Sequence, residues 1–315
     1  MERNIMIKRI RIYFLFLGVL AGVLSGCSEQ KGVTEIFLFE KKQPQKILEE
    51  GYSQEVLRIG VAAIISPRET FTYYQELFNY LSEKIGKQII LVQRRTYKEI
   101  NDLLEEGKLE AAFICTDAYV ELKEGGSVEL LVVPVINGQA QYFSYIIVHR
   151  DSKIDSFEEL RGKSFAFTDP LSNSGKLFPT YLLAKKNFTP QTYFYKTIFT
   201  HSHDNSIIAV AKGLVDGAAV DSLIWDYLAL TRPELTSQAK IILKSPAFGI
   251  PPVVVPKGLD PDIKKKLYQI FTNLDKQTKG KEILKKIMID KFIRGDDQMY
   301  DSIRSMRNLV KKIEY

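Results

Sequence analysis

Apolar positions along the chain follow two alternating rhythms. Short, nearly unbroken runs have the length of buried strands: Val56 to Ala62, Gln88 to Val92, Ala111 to Cys115 and Val128 to Val135. Between the first two, Phe71, Tyr74, Leu77, Phe78 and Leu81 fall at helical spacing, predicting an amphipathic helix over Thr70 to Ile85 that Gly86 ends. Tyr97 to Glu106 predicts a second helix, stopped by Gly107. A long apolar strand, Gln141 to His149, then leads into a new unit. Ser156 opens a short helix, with Glu159 at capping-box distance. Ser164 to Thr168 reads as a strand, followed by a helix to about Lys186 in which Pro179 predicts a kink or a late start. The segment Thr192 to Thr200 reads as extended, Ile207 to Lys212 as a helix closed by Gly213, Asp216 to Val220 as a buried strand, and Ser222 to Leu230 as a helix. After the strand Ala239 to Lys244, the turn residues of Ser245-Pro246 and Gly249-Ile250-Pro251-Pro252 mark a crossing segment, and Val253 to Val255 returns to the first sheet. Three helices follow: Pro261 to Asn273, Lys279 to Asp290 and Asp296 to Ile313.

Strand–helix alternation of this kind implies sheets with helices on their faces. The expected architecture is α/β and two-lobed, each lobe a mixed, mostly parallel sheet flanked by helices. Residues 55–145 with 250–315 form lobe I, and residues 146–249 form lobe II, inserted into it. Ligands of open α/β sheets bind at strand C-terminal ends and in crevices between domains. A hinged receptor that closes on its ligand suits such a chain.

The N-terminal segment has a different pattern. Arg3, Lys8, Arg9 and Arg11 precede an apolar run from Ile12 to Leu24 that is too short for a comfortable membrane span. Small residues then lead to a cysteine in Leu24-Ser25-Gly26-Cys27. Residues 1–26 are read as a lipoprotein signal peptide, with Cys27 as the lipidated mature N-terminus; an ordinary secretory signal or an uncleaved anchor is the alternative. Residues 27–54 are polar and read as a tether, in which the apolar island Ile36 to Phe39 can also serve as an added strand. The expected location is the periplasm or cell surface, lipid-anchored to a bacterial membrane.

Charge changes the picture once the signal is set aside. Of 44 Lys/Arg and 38 Asp/Glu, residues 1–26 hold four and one, leaving 40 against 37 and a formal +3. An exported chain with its lysines spread over C-terminal helices is not a nucleic-acid binder. With Cys27 lipidated, Cys115 stands alone and no internal disulfide is expected. Cys115 reads as a small core residue rather than a nucleophile, since no activating base is visible. Three histidines and no ligand spacing predict neither metal nor cofactor. No G-x-S-x-G elbow, P-loop or G-x-G-x-x-G is present, so an enzyme is not expected.

Two polar clusters stand at predicted strand ends in lobe II and open predicted helices: Asp169-Pro170-Leu171-Ser172-Asn173-Ser174-Gly175 and Thr200-His201-Ser202-His203-Asp204-Asn205-Ser206. Helix starts expose unpaired N–H groups and the positive end of the helix dipole, which makes them anion sites. Ser172, Ser174, the Asn173 amide and the following N–H groups can donate to one anion, with Gly175 permitting close backbone approach; Lys176 can add charge. His203 can donate to an oxyanion, and Asp204 can accept a proton from a protonated phosphorus oxyanion, which would exclude sulfate. The plainer reading of both clusters is N-capping, for which Ser, Asn and Asp are favoured anyway. Asp221 is either an acceptor in the cleft or an N-cap. In lobe I, Thr116 and Tyr119 occupy a corresponding strand end and can close on the ligand from the other side.

Several segments together resemble the phosphate/phosphite/phosphonate-binding proteins of ABC importers, the PhnD-like family with the type II periplasmic-binding-protein fold. They are Tyr145-Ile146-Ile147-Val148 with Asp151-Ser152; Ser156-Phe157-Glu158-Glu159-Leu160-Arg161-Gly162-Lys163; Phe167 through Gly175; Ser202-His203-Asp204-Asn205-Ser206; and Val215 through Ser222. The resemblance spans about residues 56–310. It implies that Ser172, Asn173, Ser174 and His203 hold the phosphonyl oxygens, with Asn173 replacing a common threonine, and that Asp221 is the nearest acid to any ligand amine. It implies a monomer that binds a small phosphorus oxyanion and delivers it to an ABC permease, without covalent chemistry. Signalling to a membrane sensor kinase, or an enzyme on the same fold, are the alternatives.

Overall fold

The computed structural model describes residues 56–314, apart from the side chains of residues 67–69, 71–73 and 314. The expectations for residues 1–54, lipidation of Cys27 among them, lie outside the described residues.

Among the described residues, two larger sheets carry the fold. The first has six strands in the order Lys291–Ile293, Val128–Val135, Val253–Pro256, Ala111–Phe113, Val56–Val61 and Gln88–Gln93. The second has five, in the order Ala239–Lys244, Ser144–His149, Gly217–Asp221, Ser164–Phe167 and Lys196–Phe199. Both are mixed. In the first, Val56–Val61 pairs in parallel with Gln88–Gln93 and Ala111–Phe113, and Val253–Pro256 runs antiparallel to its two neighbours. In the second, Ser164–Phe167 pairs in parallel with Lys196–Phe199 and Gly217–Asp221, while Ser144–His149 is antiparallel on both sides. Parallel pairs therefore do not predominate, which corrects one part of the expectation. A parallel neighbour needs a helical crossover within one sheet; strands such as Ser144–His149 and Val253–Pro256 enter by crossing from the other sheet and arrive running the opposite way.

The helices arise where the sequence provides their ends. Helix Pro67–Ile85 starts with proline in its first turn and ends at Gly86, whose φ of 74° lets its N–H return to the Ser82 carbonyl. Thr96 and Glu99 form a reciprocal capping box that opens helix Tyr97–Glu105. The inner faces of the sheets are filled by residues such as Ile59, Val132, Val253 and Phe271 in the first, and Ile147, Ala218, Val220 and Val210 in the second. The C-terminal helix Asp301–Glu314 touches both Thr116–Glu124 and Phe178–Ala184. Its Arg307 reaches the buried Asp117 at 2.5 Å and Glu121 at 3.2 Å.

Four local expectations are corrected and a fifth holds. The run Gln141 to His149 breaks at Phe143: Gln141–Tyr142 pairs with Phe248–Gly249 and only Ser144–His149 joins the second sheet. The Phe143 N–H is taken by the Ser222 hydroxyl instead of a ladder partner. Glu159 accepts the Asp155 N–H, so the Ser156 capping box does not form and Glu158–Leu160 is a single 3₁₀ turn. Within Thr192 to Thr200, the first residues belong to a helical turn, Pro190–Tyr193, capped by Thr189, and only Lys196–Phe199 is extended. The helix Thr278–Lys286 ends before the expected Asp290, and Lys291–Ile293 is an edge strand. Pro179 does mark a late start: a π-helical turn, Asn173–Leu177, precedes the α-helix Phe178–Ala184.

Candidate functional site

The first polar cluster begins where strand Ser164–Phe167 ends. The Thr168 N–H donates to the Gly175 carbonyl at 3.2 Å, and the Ser172 hydroxyl accepts the Gly175 N–H at 3.0 Å. These bonds curl the chain back on itself, and the wide π-turn follows. Glycine is required here by space rather than by torsion: a Cβ at Gly175 would lie 2.4 Å from Thr168 Oγ1. Ser172, Asn173 and Ser174 are fully buried. Asp169 ties the turn to the other sheet's helices, accepting the Leu171 N–H at 2.9 Å and the Tyr97 N–H at 3.1 Å.

The second cluster turns at His201, which takes a left-handed φ of 64° and donates its N–H to the Thr168 carbonyl at 2.8 Å. Left-handed backbone is costly for a residue with a Cβ and tends to persist where function demands it. Helix His203–Ala211 follows. Ser202 stands at the N-cap position but makes no side-chain cap. The His203 N–H donates to the Ile64 carbonyl and Asp204 Oδ1 accepts the Ser66 N–H, both at 3.1 Å. The start of this helix is thereby held against the end of strand Val56–Val61.

His203 is fully buried, and its state follows from its neighbours. The Asp221 backbone N–H donates to Nδ1 at 3.1 Å, so Nδ1 is an acceptor and the proton of the neutral ring sits on Nε2. Burial pushes the imidazole down to about 3, so it is neutral at ordinary pH. Its Nε2–H has no partner among the described residues. The same is true, among the described residues, of the Ser174 and Ser202 hydroxyls, the Tyr97 hydroxyl and Asn173 Oδ1. Orphaned buried polar atoms are few in native proteins and each carries a cost of roughly 1–3 kcal/mol. Here five of the eight such atoms among the described residues, on Asn173, Ser174, His201, Ser202 and His203, fall within the two polar clusters, and Tyr97 stands beside Asp169, while Asn101 Oδ1 and Arg307 Nε lie elsewhere. Thr168 joins His203 Nδ1 to Ser206, Asn173 Nδ2 donates to the Tyr142 hydroxyl at 2.9 Å, and that hydroxyl lies 2.8 Å from Thr116 Oγ1.

Three expectations are adjusted by this geometry. The Asn173 amide nitrogen is engaged by Tyr142, and its backbone N–H points at Cys115 Sγ, 3.5 Å away; the unpaired side-chain atom is an acceptor. Tyr119 is brought elsewhere: its hydroxyl donates to Asp297 at 2.6 Å and its ring packs on Tyr300. The Lys176 ammonium lies over the Phe167 ring and donates to Thr180, so it is not aimed at the cluster. Thr116, by contrast, joins Asn173 through Tyr142. Asp221 is an N-cap, accepting the Leu223 N–H at 2.7 Å, and it also lines a cavity of about 120 Å³. Burial raises its carboxyl to about 7. Cys115 is buried, and that burial pushes its thiol up to about 12, as befits a core residue.

Tyr97, Tyr142 and Thr168, which adjoin the two clusters, were not among the expected site residues. For Tyr97 a signal existed: the box Thr96-x-x-Glu99 fixes a helix start after strand Gln88–Gln93, and Tyr97 is its first residue. No lysine or arginine is buried among the described residues, whereas Asp169, Asp204 and Asp221 are. An anion here would be held by neutral N–H and O–H donors and by the helix start, not by a cation.

The family model for periplasmic phosphonate substrate-binding proteins of ABC transporters matches residues 59–300. The chain is 26% identical over 258 residues to the phosphonates-binding periplasmic protein of Escherichia coli, covering 80% of this chain and 76% of that one. It is 26% identical over 241 residues to the phosphate-import protein PhnD of Mycolicibacterium smegmatis, covering 73% and 74%. Among solved structures, a binding protein component of an ABC phosphonate transporter from Pseudomonas aeruginosa superposes with a TM-score of 0.79 at 28% identity, covering 83% of this chain and 88% of that one. PhnD1 of Prochlorococcus marinus, solved with methylphosphonate, shares the fold, with a TM-score of 0.74 at 20% identity over 82% of this chain and 98% of that one.

Proposed function

The chain belongs to the periplasmic phosphonate substrate-binding proteins of ABC transporters, and from that membership we propose that it captures a phosphorus oxyanion between the Ser172–Gly175 turn and the start of helix His203–Ala211. The observation that carries this reading is the gathering of buried, unpartnered polar atoms. His203 Nε2–H and the hydroxyls of Ser174, Ser202 and Tyr97 are donors in search of an acceptor. An oxyanion supplies several acceptors at once, and bonds from neutral donors to a charged acceptor are the stronger kind. Asn173 completes the set by turning its amide. The Tyr142 hydroxyl can donate as well as accept, so it can bond Oδ1 and release the NH₂ toward the anion.

The buried acids select among anions. Asp204 and Asp221 lie in or beside the cradle. A phosphonate, phosphite or phosphate carrying one P–OH group gives such a carboxylate a proton to accept, whereas sulfate at neutral pH has none to give. Residues 55–145 with 250–315 and residues 146–249 act as two lobes hinged at the crossings, closing on the ligand through contacts such as His203 to Ile64 and Tyr97 to Asp169. The protein works as a monomer, held at the membrane by lipid on Cys27, and hands its ligand to an ABC permease.

Titration calorimetry of the protein with phosphate, phosphite and methylphosphonate, with sulfate as control, tests the reading. Binding of at least one phosphorus oxyanion but not sulfate is expected, and His203→Ala should weaken it by roughly 1–3 kcal/mol. Unchanged affinity in His203→Ala would remove this cradle from the account.

A further inference from the structure

Beside the cradle lies the cavity that Asp221 lines, of about 120 Å³. Its walls are otherwise mostly apolar, with Ile64, Ile65, Ile136, Ile224 and the rings of Tyr74 and Tyr227 among them. It adjoins the proposed anion cradle at two points. Asp221 donates its N–H to His203 Nδ1, and Ile64 accepts the His203 N–H at its carbonyl. The walls come from both sheets' elements: the end of strand Val56–Val61 on one side and helix Ser222–Thr231 on the other.

Resting on the phosphorus-oxyanion reading, we propose that this cavity receives the carbon substituent of a bound phosphonate, and that the preferred substituent is an uncharged alkyl chain or small ring. An inorganic anion would fill the cradle and leave the cavity's apolar walls without contacts. A substituent continuing from phosphorus past Asp221 would meet them. Size sets the class. An apolar cavity of about 150 Å³ accommodates benzene, so 120 Å³ suits a group of about four or five carbons. The cavity's charge sets the rest. Its ionisable side chains are Asp221, the exposed Asp226 and the tyrosines Tyr74 and Tyr227, with no base. A substituent bearing its own carboxylate would bring like charge into an enclosed space.

The test is calorimetry of the full chain with methylphosphonate, butylphosphonate, phosphonoacetate and 2-aminoethylphosphonate. Each buried methylene is worth roughly fourfold in affinity, so butylphosphonate should bind at least tenfold more tightly than methylphosphonate, and phosphonoacetate more weakly than either. Ile224→Trp, which fills the cavity, should remove the butyl advantage while leaving methylphosphonate affinity within about threefold. If that variant loses both ligands, Ile136→Phe on the facing wall makes the same comparison. Butylphosphonate binding no better than methylphosphonate in the unaltered protein overturns the inference and leaves the cradle standing. A 2-aminoethyl preference over butyl also overturns it, assigning the carboxyls rather than the apolar walls as the selector. If no phosphonate binds at all, the cradle reading falls, and this inference with it.

Discussion

Replacing Ser174 by alanine should move stability and binding in opposite directions. The Ser174 hydroxyl is fully buried and has no partner among the described residues, while its carbonyl accepts the Ser144 hydroxyl at 2.6 Å and is untouched by the change. In the ligand-free protein the hydroxyl carries a desolvation cost of about 1–3 kcal/mol with nothing returned. Alanine removes that cost and leaves a space smaller than a water molecule, so the ligand-free variant should gain about 1 kcal/mol. For a domain of this size that is a rise in Tm of about 2–4 °C. With a phosphorus oxyanion bound, the variant loses a hydrogen bond to a charged acceptor, worth about 1.5–3 kcal/mol. Affinity should fall by about 10- to 150-fold. Differential scanning calorimetry with and without methylphosphonate reads both effects, because the ligand-induced rise in Tm grows with the logarithm of ligand concentration over Kd. A serine present only to shape the turn predicts the reverse: Tm down by several degrees and affinity unchanged. That result would refute the argument from the orphaned hydroxyl.

Three further outcomes follow from the same geometry. His203 titrates near 3 when folded and near 6.5 when unfolded, so the unfolded chain alone takes up its proton between those values. Its contribution is therefore complete above pH 6.5 and is lost as pH falls; relative to His203→Gln, the protein should lose about 1.4 kcal/mol per pH unit between pH 6 and 4, read from urea midpoints. Gly175→Ala puts a Cβ 2.4 Å from Thr168 Oγ1 and 2.6 Å from its Cβ, so thermal denaturation should show a loss of roughly 1–3 kcal/mol, and calorimetry a loss of binding as the turn shifts. Arg307→Met strands Asp117, whose carboxyl burial has already raised to about 6, so the variant should lose roughly 3–5 kcal/mol at pH 8 and clearly less at pH 5, where Asp117 is protonated; equal losses at both would show that its charge is irrelevant.

Much of the scaffold was legible because its signals are local. Apolar runs such as Ala111 to Cys115 and stops such as Gly86 or Gly213 depend on residues close in sequence, and both polar clusters stand after strands as their patterns imply. The expectations that failed depended on distant partners. Nothing near Gln141 says that Tyr142 pairs with Phe248 while Ser144 pairs with Asp221. Lys291–Ile293 is three residues long and becomes a strand only because Val133 to Val135 lie alongside. Within the candidate site, Ser172, Ser174 and His203 announced themselves as polar residues at helix starts. The direction of a hydroxyl could not: Tyr119 looked suitable, yet Asp297, far along the chain, claims it. The box Thr96-x-x-Glu99 placed Tyr97 at a helix start, but the direction of its ring was not legible; its burial beside Asp169 and Cys115 sets the hydroxyl apart.

The central claim is that one cradle, built from the Ser172–Gly175 turn and the His203 helix start, holds a phosphorus oxyanion. A crystal structure of the protein with methylphosphonate tests it most directly. Phosphoryl oxygens should lie within about 3.2 Å of His203 Nε2 and Ser174 Oγ, with the methyl group directed toward the cavity at Asp221. A methylphosphonate bound elsewhere, or one in this cleft that touches neither His203 nor Ser174, would contradict it.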